Sequence, residues 1–297
     1  MPRQCCRLLR YCASVGLVHE TAPGIFAANA TTKTLAQPAY EGGIRHYFDS
    51  VGPTLQVLPS FLAETKYQDI VNPTDTAFQR AFATDLPALK WLPTQPDLFK
   101  AFQQMMTVRG APGAPWFSVF PFEQELGNFA GAHAFIDVGG GFGHQCLSLR
   151  AAFPSLENKI VLQDLPETLK QTSFDLKGIL PMAHDFFQPQ PLKGARFYYM
   201  RNILHDWPDE KCASILRNLA SAFGPESQIL IDDMVLPDSG APWEATSLDI
   251  KMMALFGARE RTTAEWLAVI DAAGLKVSRI VPYSTRCQDS IIQVVAK

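Results

Sequence analysis

The chain has 297 residues, 47% of them hydrophobic, with 26 basic and 29 acidic residues and a net charge of −3. This length allows one large or two ordinary domains with a buried core, and the near balance of charge argues against nucleic-acid binding. No apolar run approaches the ~20 residues of a membrane-spanning helix, and the six cysteines are scattered, which predicts a cytoplasmic protein without a structural metal and without membrane attachment.

Residues 1–40 begin with a short basic and apolar stretch that superficially resembles a secretory signal. No small-residue cleavage site follows it, so secretion is the weaker interpretation. The alternative is an amphipathic helix carrying Leu8, Tyr11 and Val15, followed by two short strands that turn at Pro23-Gly24. This pattern predicts a partial winged helix.

Residues 41–130 are rich in aromatic residues and prolines. Their patterning predicts helices over 44–62, 76–86 and 97–108. The segment 109–121 predicts a loop that passes between domains. The sequence pattern changes near residue 130, from aromatic- and proline-rich helical segments to alternating apolar strands and helices. We expect the domain boundary there.

Residues 131–297 alternate apolar strands with helices, which predicts an α/β domain. The predicted strands are 134–138, 159–163, 197–203, 228–232, 276–282 and 290–296. The predicted helices are 143–153, 166–171, 209–223 and 263–273.

The turn Gly139-Gly140-Gly141 follows an apolar strand and precedes a helix, which is typical of a nucleoside-cofactor site. A dinucleotide fingerprint would place its third glycine where His144 stands. The spacing GGGxG, preceded by Asp137, better suits S-adenosylmethionine, which carries no phosphate. Asp164 ends the next predicted strand, where a carboxylate can accept hydrogen bonds from both ribose hydroxyls.

Asp185 and Phe186 lie before the strand that begins at residue 197. An acid and an aromatic ring in this place predict a bracket around an adenine, while an ordinary loop capped by aspartate is the alternative. The preceding His184 is interpreted as incidental.

His205 and Asp206 follow the predicted strand 197–203 and precede a predicted helix. The carboxyl ends of strands are the ligand-binding edge of an open α/β sheet. A histidine with an ordinary pKa near ~6.5 can accept a proton from a phenol, whose pKa is near ~10, as the phenol attacks a methyl donor. A structural role for His205 is the alternative.

Two carboxylates are candidates for orienting that imidazole and stabilising its charged form. Asp233 follows the predicted strand 228–232, with the adjacent Asp232 as a rival for the role. Glu260 precedes the helix predicted near residue 263, where the alternative is a helix-start acid.

Six motifs occur in order along the chain: DVGGGFG, QDLPET, HDFF, RNILHDWPDEKC, LIDDMVLP and ARERTTAEW. Together they resemble the plant and fungal class of S-adenosylmethionine-dependent O-methyltransferases, and the fungal secondary-metabolite branch in particular. The resemblance covers essentially all of 134–297 and, more loosely, the upstream half. It implies that the helical region 41–130 serves dimerisation and caps the substrate site. It implies a Rossmann-like seven-stranded methyltransferase sheet, a homodimer, and metal-independent methyl transfer to a hydroxyl of a small phenolic or polyketide-type acceptor, with S-adenosylhomocysteine as product.

Matching the motifs residue by residue implies a role for each site position. His205 corresponds to the general base, and Asp233 and Glu260 correspond to the acids that flank it. The implied cofactor-binding residues are Asp137, Gly139, Gly140, Gly141, Asp164, Leu165, Asp185, Phe186 and Arg201. The implied substrate-binding residues are Met105, Met106, Trp116, Asp206 and Met253.

The chain departs from the family pattern in two places. Asp233 stands where plant members usually carry glutamate, so the carboxylate is one methylene shorter and its contact with His205 needs to be tested. The chain also starts inside the winged helix, whereas relatives have a further N-terminal region, so we expect a weakened dimer.

Two other function classes fit parts of the sequence. Some fungal relatives keep the cofactor but catalyse pericyclic or dehydration reactions, and the intact set of His205, Asp233 and Glu260 favours methyl transfer over that alternative. DNA binding through the winged helix is disfavoured because its basic face is absent.

Overall fold

The computed structural model describes residues 2–70, 72–107, 115–170, 172 and 175–297. These residues form two compact units, one comprising Met1–Tyr67 and Ala77–Pro112 and the other Gln68–Thr76 and Gly113–Lys297. The loop predicted over 109–121 lies partly outside the described residues. The two units divide before the predicted boundary near 130, and the short helix Phe122–Leu126 belongs to the second unit.

The first unit begins with a helix and a hairpin. Strands β1 and β2 pair antiparallel around the turn at Pro23-Gly24, as the sequence predicts. The strands are β1 His19–Ala22 and β2 Ile25–Ala27. The helices are α1 Arg3–Ser14, α2 Ala30–Leu35, α3 Pro38–His46, α4 Gly52–Glu64, α5 Ala77–Phe82, α6 Ala88–Trp91 and α7 Pro96–Met106.

The helix predicted over 44–62 is longer than expected and is interrupted once. A π-helical turn, Tyr47–Val51, joins α3 to α4, and Pro53 follows it in the first turn of α4. Because helical backbone precedes it, Pro53 lacks an N–H group that an uninterrupted α-helix would use, and the interruption lies at this point. The helix predicted over 76–86 ends early, at Phe82, because Ala83 takes a left-handed φ of 46°.

The second unit carries the remaining elements, in largely alternating order. Its strands are β3 Phe135–Val138, β4 Ile160–Asp164, β5 Ile179–Ala183, β6 Phe197–Arg201, β7 Gln228–Leu236, β8 Arg261–Thr262, β9 Leu275–Pro282 and β10 Asp289–Ala296. Its helices are α8 Phe122–Leu126, α9 His144–Ala152, α10 Pro166–Lys170, α11 Asp209–Ala220, α12 Trp243–Phe256 and α13 Thr263–Ala272.

One sheet orders the second unit. Seven strands follow the order β5-β4-β3-β6-β7-β10-β9, and the two-residue β8 pairs with β7 beside this path. The first five strands are parallel, while β10 runs antiparallel to both β7 and β9. The order reverses between β3 and β6, which makes the carboxyl edge of these strands the expected ligand site. The predicted α/β fold is therefore confirmed.

Alternate residues of the central strands enter two different hydrophobic layers. Tyr198 and Ile231 face α11 and α13 in one layer. Tyr199 and Leu230 lie in the other layer with Trp116 and the aromatic residues of 116–122. Because successive side chains of a strand point to opposite faces, two charged residues can meet at the carboxyl edge only if both point to the same face.

Two strands differ from their predicted lengths in ways that affect the site. The predicted strand 197–203 ends at Arg201, because Asn202 has a left-handed φ of 51° that turns the chain. The predicted strand 228–232 continues to Leu236, because β10 pairs with it as far as Met234 and β8 pairs with Val235 and Leu236. Asp233 therefore lies inside a strand and not after it.

Among the described ranges, no helix is both long enough and apolar enough to cross a bilayer.

Candidate active site

His205 lies on a short turn at the carboxyl edge of the sheet. After Asn202 the chain forms a single 3-10 turn, Leu204–Asp206, before α11 begins at Asp209. The turn carries His205 inward, so that its side chain is only 3% exposed. A buried imidazole in this place is held by fixed partners.

Strand alternation decides between the two neighbouring aspartates. Asp232 and Asp233 are both buried in β7, and consecutive residues of a strand point to opposite faces. Asp233 faces the histidine, with Oδ1 3.5 Å from His205 Nδ1. The shorter carboxylate at 233 thus reaches ion-pair distance of the ring.

Glu260 makes the closest contact with the ring. Its Oε1 lies 2.9 Å from His205 Nδ1. Strand β8, which begins one residue later, pairs in parallel with Val235-Leu236 of β7 and so brings Glu260 beside Asp233. The backbone N–H of Glu260 donates to Asp249 Oδ1 over 2.8 Å, which fixes the segment further.

The electrostatics of this cluster favour a proton on the imidazole. Burial lowers the pKa of His205, but the carboxylates of Asp233, Asp206 and Glu260 outweigh burial and raise that pKa to about 9. Burial also raises the pKa of Asp233, while the nearby His205 opposes that rise. His205 and the carboxylates around it therefore titrate together, so that the charge on the imidazole depends on the state of its neighbours and on pH.

The geometry gives the two ring nitrogens different tasks. When the neutral ring carries its proton on Nδ1, that N–H group donates a hydrogen bond to Glu260 Oε1. The lone pair of Nε2 is then available as a proton acceptor. The nearest carboxylate to Nε2 is that of Asp206, at 3.6 Å. His205, Asp233 and Glu260 also offer ligand atoms within 4.8 Å of one another, so the spacing alone is compatible with a cation.

Asp232 serves a separate network on the opposite face of β7. It accepts hydrogen bonds from the hydroxyls of Tyr199 and Tyr283, the latter over 2.6 Å. Arg201 Nε lies 3.6 Å from Asp232 Oδ2, because Arg201 of β6 and Asp232 of β7 are partners in the sheet. The predicted cofactor residue Arg201 is thus held by a buried acid.

The glycine turn lies at the same edge, between β3 and α9. Gly139 and Gly140 donate their N–H groups to the carbonyl of Gln163, and Gly141 donates to Asp164 Oδ2 over 2.8 Å. Three successive N–H groups are thus engaged by β4, which leaves fewer of them for a phosphate. The turn suits a cofactor without a pyrophosphate better than a dinucleotide.

Glycine is required at two positions of this turn. A Cβ at Gly140 would lie 2.5 Å from Asp137 Cγ, and one at Gly139, where φ is +72°, would lie 2.8 Å from Ile203 Cδ1. Asp137 lies buried under the turn and its Oδ2 accepts from the Cys146 thiol over 3.4 Å. Burial raises the pKa of Asp137 to about 7.

The carboxylate of Asp164 is half-buried at the end of β4. Its Oδ1 accepts from the N–H of Leu165 over 2.7 Å, so the side chain is held in one orientation. Leu165 itself is 49% exposed and provides an apolar surface beside the acid.

Phe186 lies close to the glycine turn, with Cε1 3.5 Å from the place of a Cβ at Gly139. Asp185 is exposed and accepts from the N–H of Phe187 over 2.9 Å, which is the loop-capping bond considered as its alternative role. The turn, the Asp164 carboxylate and the Phe186 ring therefore border one region of the edge. These residues fit the parts of S-adenosylmethionine: a ribose acceptor, apolar surfaces and a turn without side chains.

The predicted substrate residues fall into three places. Met253 is half-buried on α12, which packs against the turn that carries His205 and Asp206. Trp116 is 1% exposed and stacks on Tyr199 with ring centroids 5.0 Å apart, inside the core. Met105 and Met106 end α7 in the first unit. The substrate roles of these residues remain predictions, and that of Trp116 is at odds with its burial.

The sequence interpretation missed residues that support the site through space. Ile203 packs against Gly139, and Asp249 holds the backbone of Glu260. Asp249 lies 11 residues before Glu260, and Ile203 follows a different strand from Gly139. No local sequence pattern therefore reveals either contact. The helix α12 that carries Asp249 was detectable, because Pro242 precedes it and Gly257 ends it with a left-handed φ of 62°.

Comparison with known proteins identifies what the chain resembles. Residues 123–276 match the family model described as an O-methyltransferase domain. Demethylsterigmatocystin 6-O-methyltransferase of Aspergillus flavus is 42% identical, over 100% of this chain and 76% of that protein. The solved structure of LepI in complex with S-adenosylmethionine is 41% identical with a TM-score of 0.92, and covers 98% of this chain and 76% of that one. A structure described as a pericyclic reaction enzyme gives the same values.

Proposed function

The chain belongs to the S-adenosylmethionine-dependent O-methyltransferase family, and from this premise we propose that it methylates a hydroxyl of a phenolic or polyketide-type metabolite with His205 as general base. The observation that carries the proposal is the contact of 2.9 Å between His205 Nδ1 and Glu260 Oε1, supported by Asp233. This arrangement fixes the ring and leaves Nε2 to take the proton of the acceptor hydroxyl.

In the proposed mechanism these side chains remove the proton of the acceptor hydroxyl and stabilise the charge that results. As the hydroxyl loses its proton to Nε2, the ring becomes positive, and the carboxylates of Glu260 and Asp233 stabilise that charge within a buried site. General-base assistance of this kind contributes about 10²–10⁴-fold. S-adenosylmethionine, when bound, supplies an electrophilic methyl carbon. In this proposal the chain adds orientation, with Asp164 accepting from the ribose hydroxyls and Phe186 contacting the adenine.

Incubation with methyl-labelled S-adenosylmethionine and a panel of phenolic polyketides tests this function. We expect label in the acceptor and formation of S-adenosylhomocysteine. We also expect activity to persist in the presence of a chelator, because the proposed reaction uses His205, Asp233 and Glu260 for a proton and not for a metal. Turnover of an acceptor without label would overturn methyl transfer.

A pericyclic or dehydration reaction is the second candidate, because one structure at 41% identity is described as a pericyclic reaction enzyme. A pericyclic rearrangement removes no proton from the reactant, and a dehydration removes one only together with hydroxide, as water, whereas methyl transfer to a hydroxyl requires the loss of that proton alone. The carboxylate-supported base at His205 therefore favours methyl transfer. The label experiment separates the two outcomes directly.

We also propose a homodimer in which the first unit contributes apolar surface. Leu8, Tyr11 and Val15 of α1 are 67%, 69% and 53% exposed, and Phe48 is 79% exposed. Exposed apolar clusters of this kind mark association surfaces. Light scattering at graded protein concentration tests this proposal, and a strictly monomeric mass would contradict it. The cytoplasmic location remains a prediction.

The pH dependence of turnover follows from the raised pKa of His205. The carboxylates hold the imidazole protonated up to about pH 9, so the base form is scarce at neutral pH and becomes more abundant as the pH rises. We expect kcat/KM to rise about tenfold per pH unit below that midpoint and then to level off. Stopped assays with a constant acceptor, across buffers of equal ionic strength, measure the profile.

Asp233→Asn provides the matched variant for this profile. Removing one carboxylate destabilises the imidazolium, so the midpoint should move to lower pH while the ring stays held by Glu260. A profile that is flat in the wild type, or a midpoint that does not move in the variant, would contradict the assignment.

Asp164→Ala tests the cofactor site. We expect S-adenosylhomocysteine to bind about tenfold or more weakly, because buried ribose hydroxyls would lose their acceptor. Titration calorimetry measures the affinity. Asp175→Ala is the control, since Asp175 is exposed and accepts from the backbone N–H of Lys177 in a comparable local bond. Equal affinities for Asp164→Ala and the wild type would remove Asp164 from the site.

A further inference from the structure

Arg261 is a buried cation directly after Glu260. Its side chain is 0% exposed, although arginine is among the residue types that are almost never fully buried unless paired. Nothing in the sequence interpretation gave it a role. Its surroundings decide what this buried charge does.

The guanidinium group binds the backbone on both sides of the proposed base. Arg261 Nη1 donates to the carbonyl of Leu204 over 3.1 Å, and Nη2 donates to the carbonyl of Trp207 over 2.8 Å. These two carbonyls enclose His205 and Asp206. The turn that carries the base is therefore held by one side chain at both of its ends.

The same guanidinium is itself fixed from two further directions. Its Nε and Nη2 both donate to Asp209 Oδ1, over 2.9 and 2.8 Å, in the first turn of α11. Its carbon Cζ lies 5.2 Å from the ring centroid of Trp266. Trp266 Nε1 in turn donates to the carbonyl of Met234 over 2.9 Å, next to Asp233.

Arg261 thus joins the segments that bring the three titratable groups of the site together. It follows Glu260 in the chain, binds the turn of His205, and stacks on the tryptophan that holds the backbone after Asp233. A planar group with donors in a fixed fork can make these contacts at once, whereas an ammonium group cannot.

We propose that Arg261 is a positioning residue for the methyl transfer, which sets the place of His205 relative to Glu260 by binding the carbonyls of Leu204 and Trp207. The proposal rests on the proposed role of His205 as base. Arg261 contacts neither acceptor nor cofactor in this assignment. Its effect on the reaction passes entirely through the position of the imidazole.

Charge and geometry can be separated with two substitutions. Arg261→Lys keeps the cation but loses the fork, and we expect kcat to fall about tenfold to a hundredfold, because small misplacements of a reacting group are costly. The affinity for S-adenosylhomocysteine should be unchanged and the pH midpoint of kcat/KM should stay near that of the wild type. Arg261→Gln should lower kcat as well and also raise the midpoint, since a positive charge near Asp233 is lost.

Arg259→Lys is the matched control. Arg259 pairs with the other oxygen of the same carboxylate, Asp209 Oδ2, over 2.6 Å, but it is 48% exposed. Because it touches neither carbonyl of the turn, its substitution should leave kcat and the pH profile unchanged. Circular dichroism and thermal unfolding of all three variants identify any that fail to fold.

Two results would overturn the positioning role. One is a wild-type kcat for folded Arg261→Lys. The other is a loss of kcat in both Arg261→Gln and Arg261→Lys with three accompanying signs. The pH midpoint of kcat/KM stays at the wild-type value in both variants, and each variant loses affinity for the cofactor in proportion to its loss of thermal stability. Failure of the underlying function has a different signature: His205→Ala would then keep its turnover, whatever the Arg261 variants do.

Discussion

We expect His205→Ala to lower kcat by at least about a hundredfold and to leave the affinity for S-adenosylhomocysteine unchanged. The loss follows from removing the proton acceptor, since general-base assistance typically contributes about 10²–10⁴-fold. The remaining rate would come from holding the reactants in line. Initial rates with labelled cofactor, together with calorimetric binding, measure the two quantities separately.

Folding of this variant needs its own control, because alanine would leave the buried carboxylates of Asp233 and Glu260 without their cation. His205→Gln fills the same space and offers hydrogen bonds, yet cannot take up a proton, so it should lose turnover to a similar extent. His133→Ala changes a half-buried histidine before β3, at the opposite edge of the sheet, and should retain activity. Unchanged turnover in a folded His205→Gln variant would exclude the histidine as the base.

Glu260→Gln should lower kcat by about a hundredfold, which is the second largest effect we expect. The amide can turn its NH2 group toward Nδ1, and the ring then carries its proton on Nε2, where the acceptor hydroxyl needs a lone pair. The imidazolium also loses a stabilising charge, so the midpoint of kcat/KM should move to lower pH. Rates across the pH range record both effects.

Glu260→Asp serves as the conservative comparison, since it keeps the charge and shortens the reach. It should hold the midpoint near the wild-type value and recover part of the lost turnover. If Glu260→Gln shifts the midpoint but turns over normally above it, Glu260 acts only through its charge. If neither quantity changes, the contact of 2.9 Å has no part in the reaction.

The sequence predicts parts of the fold well where the signal is local. The glycine turn follows β3, and Asp164 ends β4, as the pattern indicates. The helix predicted over 263–273 begins at Thr263, behind a capping box in which the side chains of Thr262 and Glu265 bond each other's backbone N–H groups. The α/β class follows from the same kind of local pattern.

The choice between Asp232 and Asp233 could not be made from the sequence alone. The apolar run of β7 stops where the aspartates begin, so the strand appeared to end there. Pairing with β10 continues the strand through Asp233 and Met234, and pairing with β8 extends it to Leu236; both partner strands lie further along the chain. Only inside a continuous strand are the two side chains forced to opposite faces.

Trp116 shows that residue type alone can also fail to predict whether a side chain lies in a pocket or in the core. A tryptophan in a proline-rich segment before the sheet is compatible with a pocket wall, and the resemblance to the family points to that role. In the structure it packs against both Phe135 and Tyr199, with ring centroids 6.0 and 5.0 Å away. Residue type alone does not distinguish an aromatic pocket wall from an aromatic core, because both positions favour large apolar rings.

The division of charges across β7 has a consequence for how the protein can carry a moving proton. On one face Asp232 is shared among Arg201, Tyr199 and Tyr283, a set in which the guanidinium neutralises the acid permanently. On the other face Asp233, Glu260 and His205 form the group that we propose to hold the proton taken from the acceptor hydroxyl. The strand therefore separates two adjacent acids into two networks: that of Asp232, which contains a fixed cation, and that of Asp233, whose charge would change in each turnover of the proposed reaction.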